Sequence, residues 1–105
     1  MILEDVMEIL EETGYPIAYH HFEEGQEPEL PYIVYLSPQT ENVMADGKTY
    51  IKIDELNVEL YTEEKDLKAE RRLEDVLEVH GLSWQKTEAY LETEKMYEVL
   101  YEMEV

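Results

Sequence analysis

The chain contains no cysteine, which excludes disulfides and zinc–thiolate sites. Basic residues are scarce: eight Lys and Arg face 27 Asp and Glu, a formal net charge of −19. Such a surface repels phosphate backbones and anionic membranes, so direct DNA or RNA binding is not expected. Four glycines leave no Gly-rich phosphate loop. No apolar run is long enough to span a bilayer, and Met1-Ile2-Leu3-Glu4-Asp5 lacks the basic and apolar regions of an export signal. A soluble protein is expected. The charge has a cost in self-repulsion, which salt screens. Raising ionic strength from low to physiological is therefore expected to raise the melting temperature and favour self-association. Superimposable melts across that range would contradict this.

What is present is the material of a folded domain. The length of 105 residues suits one domain, here 1–105, and 44% of the residues are apolar. A chain of this size buries roughly two thirds of its unfolded surface, enough for a core without covalent staples.

The pattern predicts an α+β fold in the order α-β-β-β-β-α-β-β. Ile2, Leu3, Val6, Ile9 and Leu10 recur at helical spacing over 2–13, and Gly14 and Pro16 end the helix. A strand over 17–22 and an acidic loop with two prolines lead to a second strand, Tyr32–Leu36. Asp46-Gly47 signals a type I′ hairpin turn. The returning strand, 48–61, is long for a globular protein, and its apolar parity flips between Ile51/Ile53 and Leu56/Val58/Leu60. A bulge near Asp54-Glu55 accounts for the flip; alternatively, the first half leaves the sheet as an arm. A second helix over 67–80, N-capped by Asp66 and stopped by Gly81, carries Leu73, Val76, Leu77 and His80 on one stripe, with Arg71 and Asp75 spaced to pair. Strands over 82–90 and 94–105 form a closing hairpin. The expected architecture is one antiparallel sheet with both helices on one face and a long hairpin around Asp46-Gly47 projecting from it. The expected core draws on Leu3, Val6, Leu10, Val34, Val58, Leu73, Val76, Leu77, Val99 and Tyr101.

Catalytic apparatus is not visible. His20 and His21, read as strand neighbours, point to opposite faces and cannot share a metal. His80 sits at a helix C-terminus, where the dipole favours an imidazolium. No Ser or Thr occupies a nucleophile elbow, and no acidic run has EF-hand spacing. Glu23, Glu24, Glu27 and Glu29 read as a solvated loop. No enzyme activity, cofactor or metal is expected.

Nine tyrosines are more informative, because Tyr suits both strands and protein interfaces. Tyr50, Tyr61 and Tyr90 fall near strand ends, and Met96 and Leu100 make a small apolar patch on the acidic face of the last strand. With Asp46, Gly47, Ile51 and Ile53 of the hairpin, these are the candidate protein-interface residues.

Several stretches together resemble small prophage-encoded structural proteins of long-tailed phages: Tyr15–Phe22, Pro31–Tyr35, Ala45–Tyr50, Val58–Thr62 and Tyr97–Glu102. The chain is similar to tail-completion or tail-terminator subunits over essentially its whole length in element order. That resemblance implies a non-enzymatic virion protein of the head–tail junction, assembled in the host cytoplasm. It implies a homo-oligomeric ring, commonly a hexamer, that caps the tail tube and joins it to the connector. The alternative is an acidic DNA mimic that inhibits a nucleic-acid-binding protein. Glu102 and Glu104 on one strand face are about 6.6 Å apart, near the spacing of successive phosphates.

Overall fold

The computed structural model describes residues 3–105, except the side chains of Val43, Ala45, Thr49, Tyr50 and Ile51. Ile2 of the first apolar stripe, and the side-chain roles expected of Tyr50 and Ile51, lie outside the described residues. The first helix begins as a 3-10 turn, Leu3–Asp5, and continues as α1, Val6–Glu11. Backbone bonds from Thr13 N to Leu10 O and from Gly14 N to Glu11 O close it. The remaining elements are β1 (Ile17–Tyr19), β2 (Tyr32–Leu36), β3 (Thr40–Ala45), β4 (Lys48–Thr62), α2 (Leu67–Val79), β5 (Gln85–Leu91) and β6 (Met96–Glu104). The fold is α+β, with two helices and a mixed six-stranded sheet ordered β1-β2-β4-β6-β5, β3 pairing only with β4.

An all-antiparallel sheet is corrected at one edge: β1 runs parallel to β2, with Ile17 beside Ile33 and Tyr19 beside Tyr35. A parallel pair needs a long return. The acidic segment between Tyr19 and Tyr32 supplies it, so those residues form a crossover and not a hairpin loop. β1 is also shorter than the expected 17–22, because His20 takes a positive φ of 69° and turns the chain away.

β4 organises the rest. Its second half is central, paired with β2 from Asn57 to Tyr61 and with β6 from Glu55 to Thr62. Its first half pairs with β3, Thr40 opposite Asp54 and Ala45 opposite Lys48, and at the root Asp54 also exchanges backbone bonds with Val105 (2.9 and 3.3 Å). The turn between them is Asp46-Gly47, both at positive φ (53° and 75°), as a type I′ turn requires. The molecule measures 50 × 29 × 22 Å along its principal axes.

The expected bulge in β4 at Asp54-Glu55 is absent: the strand is continuous there. The irregularity lies across from it, where Ser37, Pro38 and Gln39 oppose only Glu55 and Leu56. Pro38 has no N–H to give a ladder. Gln39 O accepts from Glu55 N (2.8 Å) and Ser37 Oγ donates to Glu55 O (2.6 Å), so neither backbone group of Glu55 is stranded. A second register step falls between Val43 and Met44 in the arm. Because β4 keeps its phase at Glu55, Ile53 shares the face of Glu55, Asn57 and Tyr61, opposite Leu56, Val58 and Leu60.

Those three, each fully buried, form the floor of the core with Ile33 and Tyr35 of β2 and Val99, Tyr101 and Met103 of β6. Val6 and Leu10 of α1 and Ala69, Leu73 and Leu77 of α2 cover it. Three expected core members differ: Leu3 and Val76 are only half-buried, and Val34 is buried on the opposite face. Asp66 Oδ1 accepts from Ala69 N at 3.0 Å, giving α2 its N-cap. At the other end Gly81 N bonds Glu78 O and Leu82 N bonds Leu77 O, a Schellman closure that needs Gly81 at its φ of 74°. Arg71 and Asp75 are both exposed, and the expected pair is not among the ion pairs of the described residues. Leu77→Ala is expected to cost about 2–5 kcal/mol in urea unfolding, since a sheet-backed site collapses poorly. A loss below about 0.5 kcal/mol would mean that α2 is not docked through this residue.

Candidate assembly surface

One face of the sheet carries both helices; the other carries none. On the open face, cross-strand register sets Tyr61 opposite both Tyr32 and Glu98, and Glu59 opposite both Val34 and Leu100. The Tyr61 hydroxyl lies 2.9 Å from Glu98 Oε2 and 3.2 Å from Glu59 Oε1. A hydroxyl has one proton, so at any moment it donates to one carboxylate. Burial, with Glu98 nearby, pushes the Glu59 carboxyl above the usual range. Burial and the same two carboxylates push the Tyr61 phenol far up. Apolar neighbours frame the pair: Leu100 is half-buried, Met96 Sδ lies 4.0 Å from the Tyr32 hydroxyl, and Phe22 sets its ring edge against Tyr32 at 5.1 Å.

Tyr61, Met96 and Leu100 are thus brought onto one surface. Asp46, Gly47 and Ile53 lie on the arm, which joins that face at its root. Tyr90 is not part of this surface. It pairs with Tyr97, in phase with Val99 on the helix side, and its ring packs edge-on against Tyr97 at 4.9 Å.

The helix side holds a charge network that sequence reasoning missed. Glu70 of α2 is 2% exposed. Lys86 Nζ of β5 lies 3.2 Å from its Oε1, and Lys65 Nζ lies 2.6 Å from its Oε2 without hydrogen-bond alignment, an essentially electrostatic contact. Lys86 also bonds Glu74 at 2.8 Å, Lys65 also reaches Glu88, and the Tyr101 hydroxyl donates to Glu74 at 2.7 Å. A sequence signal existed: Glu70 stands three and seven residues before Leu73 and Leu77, on the buried stripe of α2. A carboxylate there requires a buried counter-charge.

The network sets an alkaline limit on stability. Contact with Glu70 and then Glu88 holds Lys65 above the ordinary lysine value, and Glu74 does the same for Lys86. Burial, with Glu74, raises Tyr101 far above the usual phenol range. Groups with raised folded values bring stability that is whole below their unfolded values and is lost as pH rises through the folded ones. The melting temperature is therefore expected to fall as pH climbs above about 10.5. Glu74 acts in the opposite sense: burial would raise it, but Lys86 and Tyr101 outweigh burial and lower it. Its contribution is lost as pH falls through that depressed value. Thermal melts between pH 8 and 12 test the alkaline limb, and an unchanged melting temperature would contradict it.

The histidines also depart from expectation. His20 and His21 lie beyond the end of β1, so strand alternation does not apply, and their Nδ1 atoms converge to 3.1 Å. His21 lies 3.7 Å from Glu23, and His80 Nε2 lies 2.8 Å from Glu12 Oε2, tying the end of α2 to α1. Among the described residues no group of three or more His, Asp or Glu side chains is placed to hold a metal ion. No helix among them is long and apolar enough to cross a membrane. The chain matches no protein-family model and no curated protein.

Proposed function

We propose that this chain is a non-enzymatic assembly subunit of a phage head–tail junction, closing with copies of itself into a ring that caps or completes the tail tube and meets the connector. The observation that carries the proposal is the division of β4: one continuous 15-residue strand, half inside the body and half in an arm. Among the described residues none of the core cluster comes from 40–53, and the core is assembled by the second half of β4 with β2, β6 and the two helices. A projecting hairpin and an open sheet face give two different patches per subunit, which a closed cyclic assembly needs. The sequence resemblance to tail-completion and tail-terminator proteins supplies the biological setting. A lumen that passes DNA must not hold it, and −19 per subunit meets that need.

Light scattering on the eluting protein at physiological salt tests the proposal. The expected mass is that of a closed ring, six copies for a tail-terminator-like subunit. A monomer or dimer that instead binds a basic nucleic-acid-binding protein stoichiometrically would favour the DNA-mimic alternative.

A further inference from the structure

We infer that the arm of one copy seats in a groove at the root of the arm on the next copy, lysines of the first meeting glutamates of the second. This deepens the ring reading and rests on it. The groove encloses about 740 Å³ beside the β4–β6 pair. Glu55, Glu102 and Glu104 rim it, and Leu82 and Trp84 supply an apolar wall, the indole packed edge-on against Tyr101 at 6.0 Å. Two observations select the occupant.

The first is an unrelieved repulsion. Glu55 and Glu104 are direct cross-strand partners, and Glu102 follows on the same face. Like charges placed opposite one another weaken a sheet. None of the three carboxylates has an ion-pair partner among the described residues. A cation brought by another chain would relieve them, and Trp84 offers it a ring face.

The second is the charge of the arm. Residues 40–53 hold two acids, Glu41 and Asp46, and two bases, Lys48 and Lys52, so the arm is neutral in a chain of −19. Both lysines are exposed and neither is in an ion pair among the described residues. The other bases are on the body, and Lys65, Lys86 and Arg72 are engaged there with Glu70, Glu74 and Tyr15. Among the described extended elements, the arm thus offers basic residues not already engaged within the subunit, beside apolar ones and without excess acid. It cannot serve its own groove: β4 runs straight through Glu55, and Lys52 lies on the opposite face of that strand. The match is between copies, arm to groove, which is the head-to-tail contact that closes a ring.

The test uses the full chain. A 1:1 mixture of unlabelled and ¹⁵N-labelled protein is treated with a zero-length carbodiimide cross-linker at high concentration. Mixed-isotope peptides joining Lys48 or Lys52 to Glu55, Glu102 or Glu104 are expected. In parallel, Lys48→Glu/Lys52→Glu is expected to weaken self-association at least tenfold with unchanged melting temperature. Glu102→Lys/Glu104→Lys is expected to weaken it as much with a melting temperature no lower than wild type, since the lysine introduced by the second change would face Glu55. Mixing the two variants should restore it, because every contact in an alternating ring is then opposite in charge. If wild-type protein assembles but the cross-links fall elsewhere, or the variants assemble normally, or the mixture is not rescued, the groove assignment is overturned and the ring reading stands. A wild-type chain that gives no oligomer and no mixed-isotope product overturns both.

Discussion

Replacing Lys65 and Lys86 together with methionine is expected to destabilise the fold by about 3 kcal/mol, lowering the melting temperature by on the order of 15 °C. The reason lies in Glu70, whose side chain is 3% exposed and has these two ammonium groups as its counter-charges. Removing both leaves a buried carboxylate without its counter-charges. Breaking a fully buried pair costs about 3–5 kcal/mol, and the lower end applies because both lysines are more than a third exposed. Methionine keeps the apolar stem over the sheet, so lost packing contributes little. Adding Glu70→Leu to the double variant should recover most of the loss, since an apolar group suits the space between Leu73 and β5. Urea unfolding of the three proteins reads this directly. A double variant within about 1 kcal/mol of wild type would mean that Glu70 is solvated or protonated without cost.

Glu70 also marks the limit of what the sequence discloses. The helical stripe of α2, its Asp66 cap and its Gly81 stop were legible because each rests on local spacing. A glutamate on that stripe contradicts its surroundings until Lys65 and Lys86 are known to converge on it, and convergence is a tertiary fact. The same holds for β1. Its apolar residues announced a strand, but nothing local distinguishes a hairpin partner from a parallel edge strand. The choice was made by the 12-residue crossover from His20 to Pro31. His20 and His21 were misjudged for a related reason: strand alternation was extended two residues past the point where a positive φ ends it.

The arm was more legible than the core. Strand length, the Asp46-Gly47 turn and the parity of Ile51 and Ile53 against Leu56 and Val58 all required either a bulge or a departure from the sheet. The structure has β4 continuous at Glu55 and the extra residue in the facing chain, where Pro38 interrupts the ladder. Of the two readings, the bulge near Asp54-Glu55 named the wrong strand, because the parity flip is visible only on β4 while the extra residue sits opposite it. Of the candidate interface residues, Tyr61, Met96 and Leu100 came together because the β4–β6 register puts them on one face of the sheet. Tyr90 did not, because its phase on β5 follows from the β5–β6 register, which the closing turn sets and composition does not reveal.

The largest functional effect is expected from shortening the arm. Glu41 and Ile53 are direct cross-strand partners, so replacing residues 42–52 with Asn-Gly leaves a two-residue hairpin at the arm's root. The bonds from Ser37 Oγ to Glu55 O and from Thr40 Oγ1 to Asp54 Oδ1 (both 2.6 Å) remain to hold that root. No described residue of the core cluster is touched. The shortened chain should therefore keep its melting temperature and lose assembly entirely. Ile53→Ser should do the same in milder form, weakening association without unfolding the body. Sedimentation velocity of wild-type and shortened chains, side by side at the same salt and concentration, measures this most directly. The account predicts a ring-sized boundary for the wild type and a single monomer boundary for the shortened chain. An oligomer that survives loss of the arm, or a shortened chain that unfolds, would contradict it.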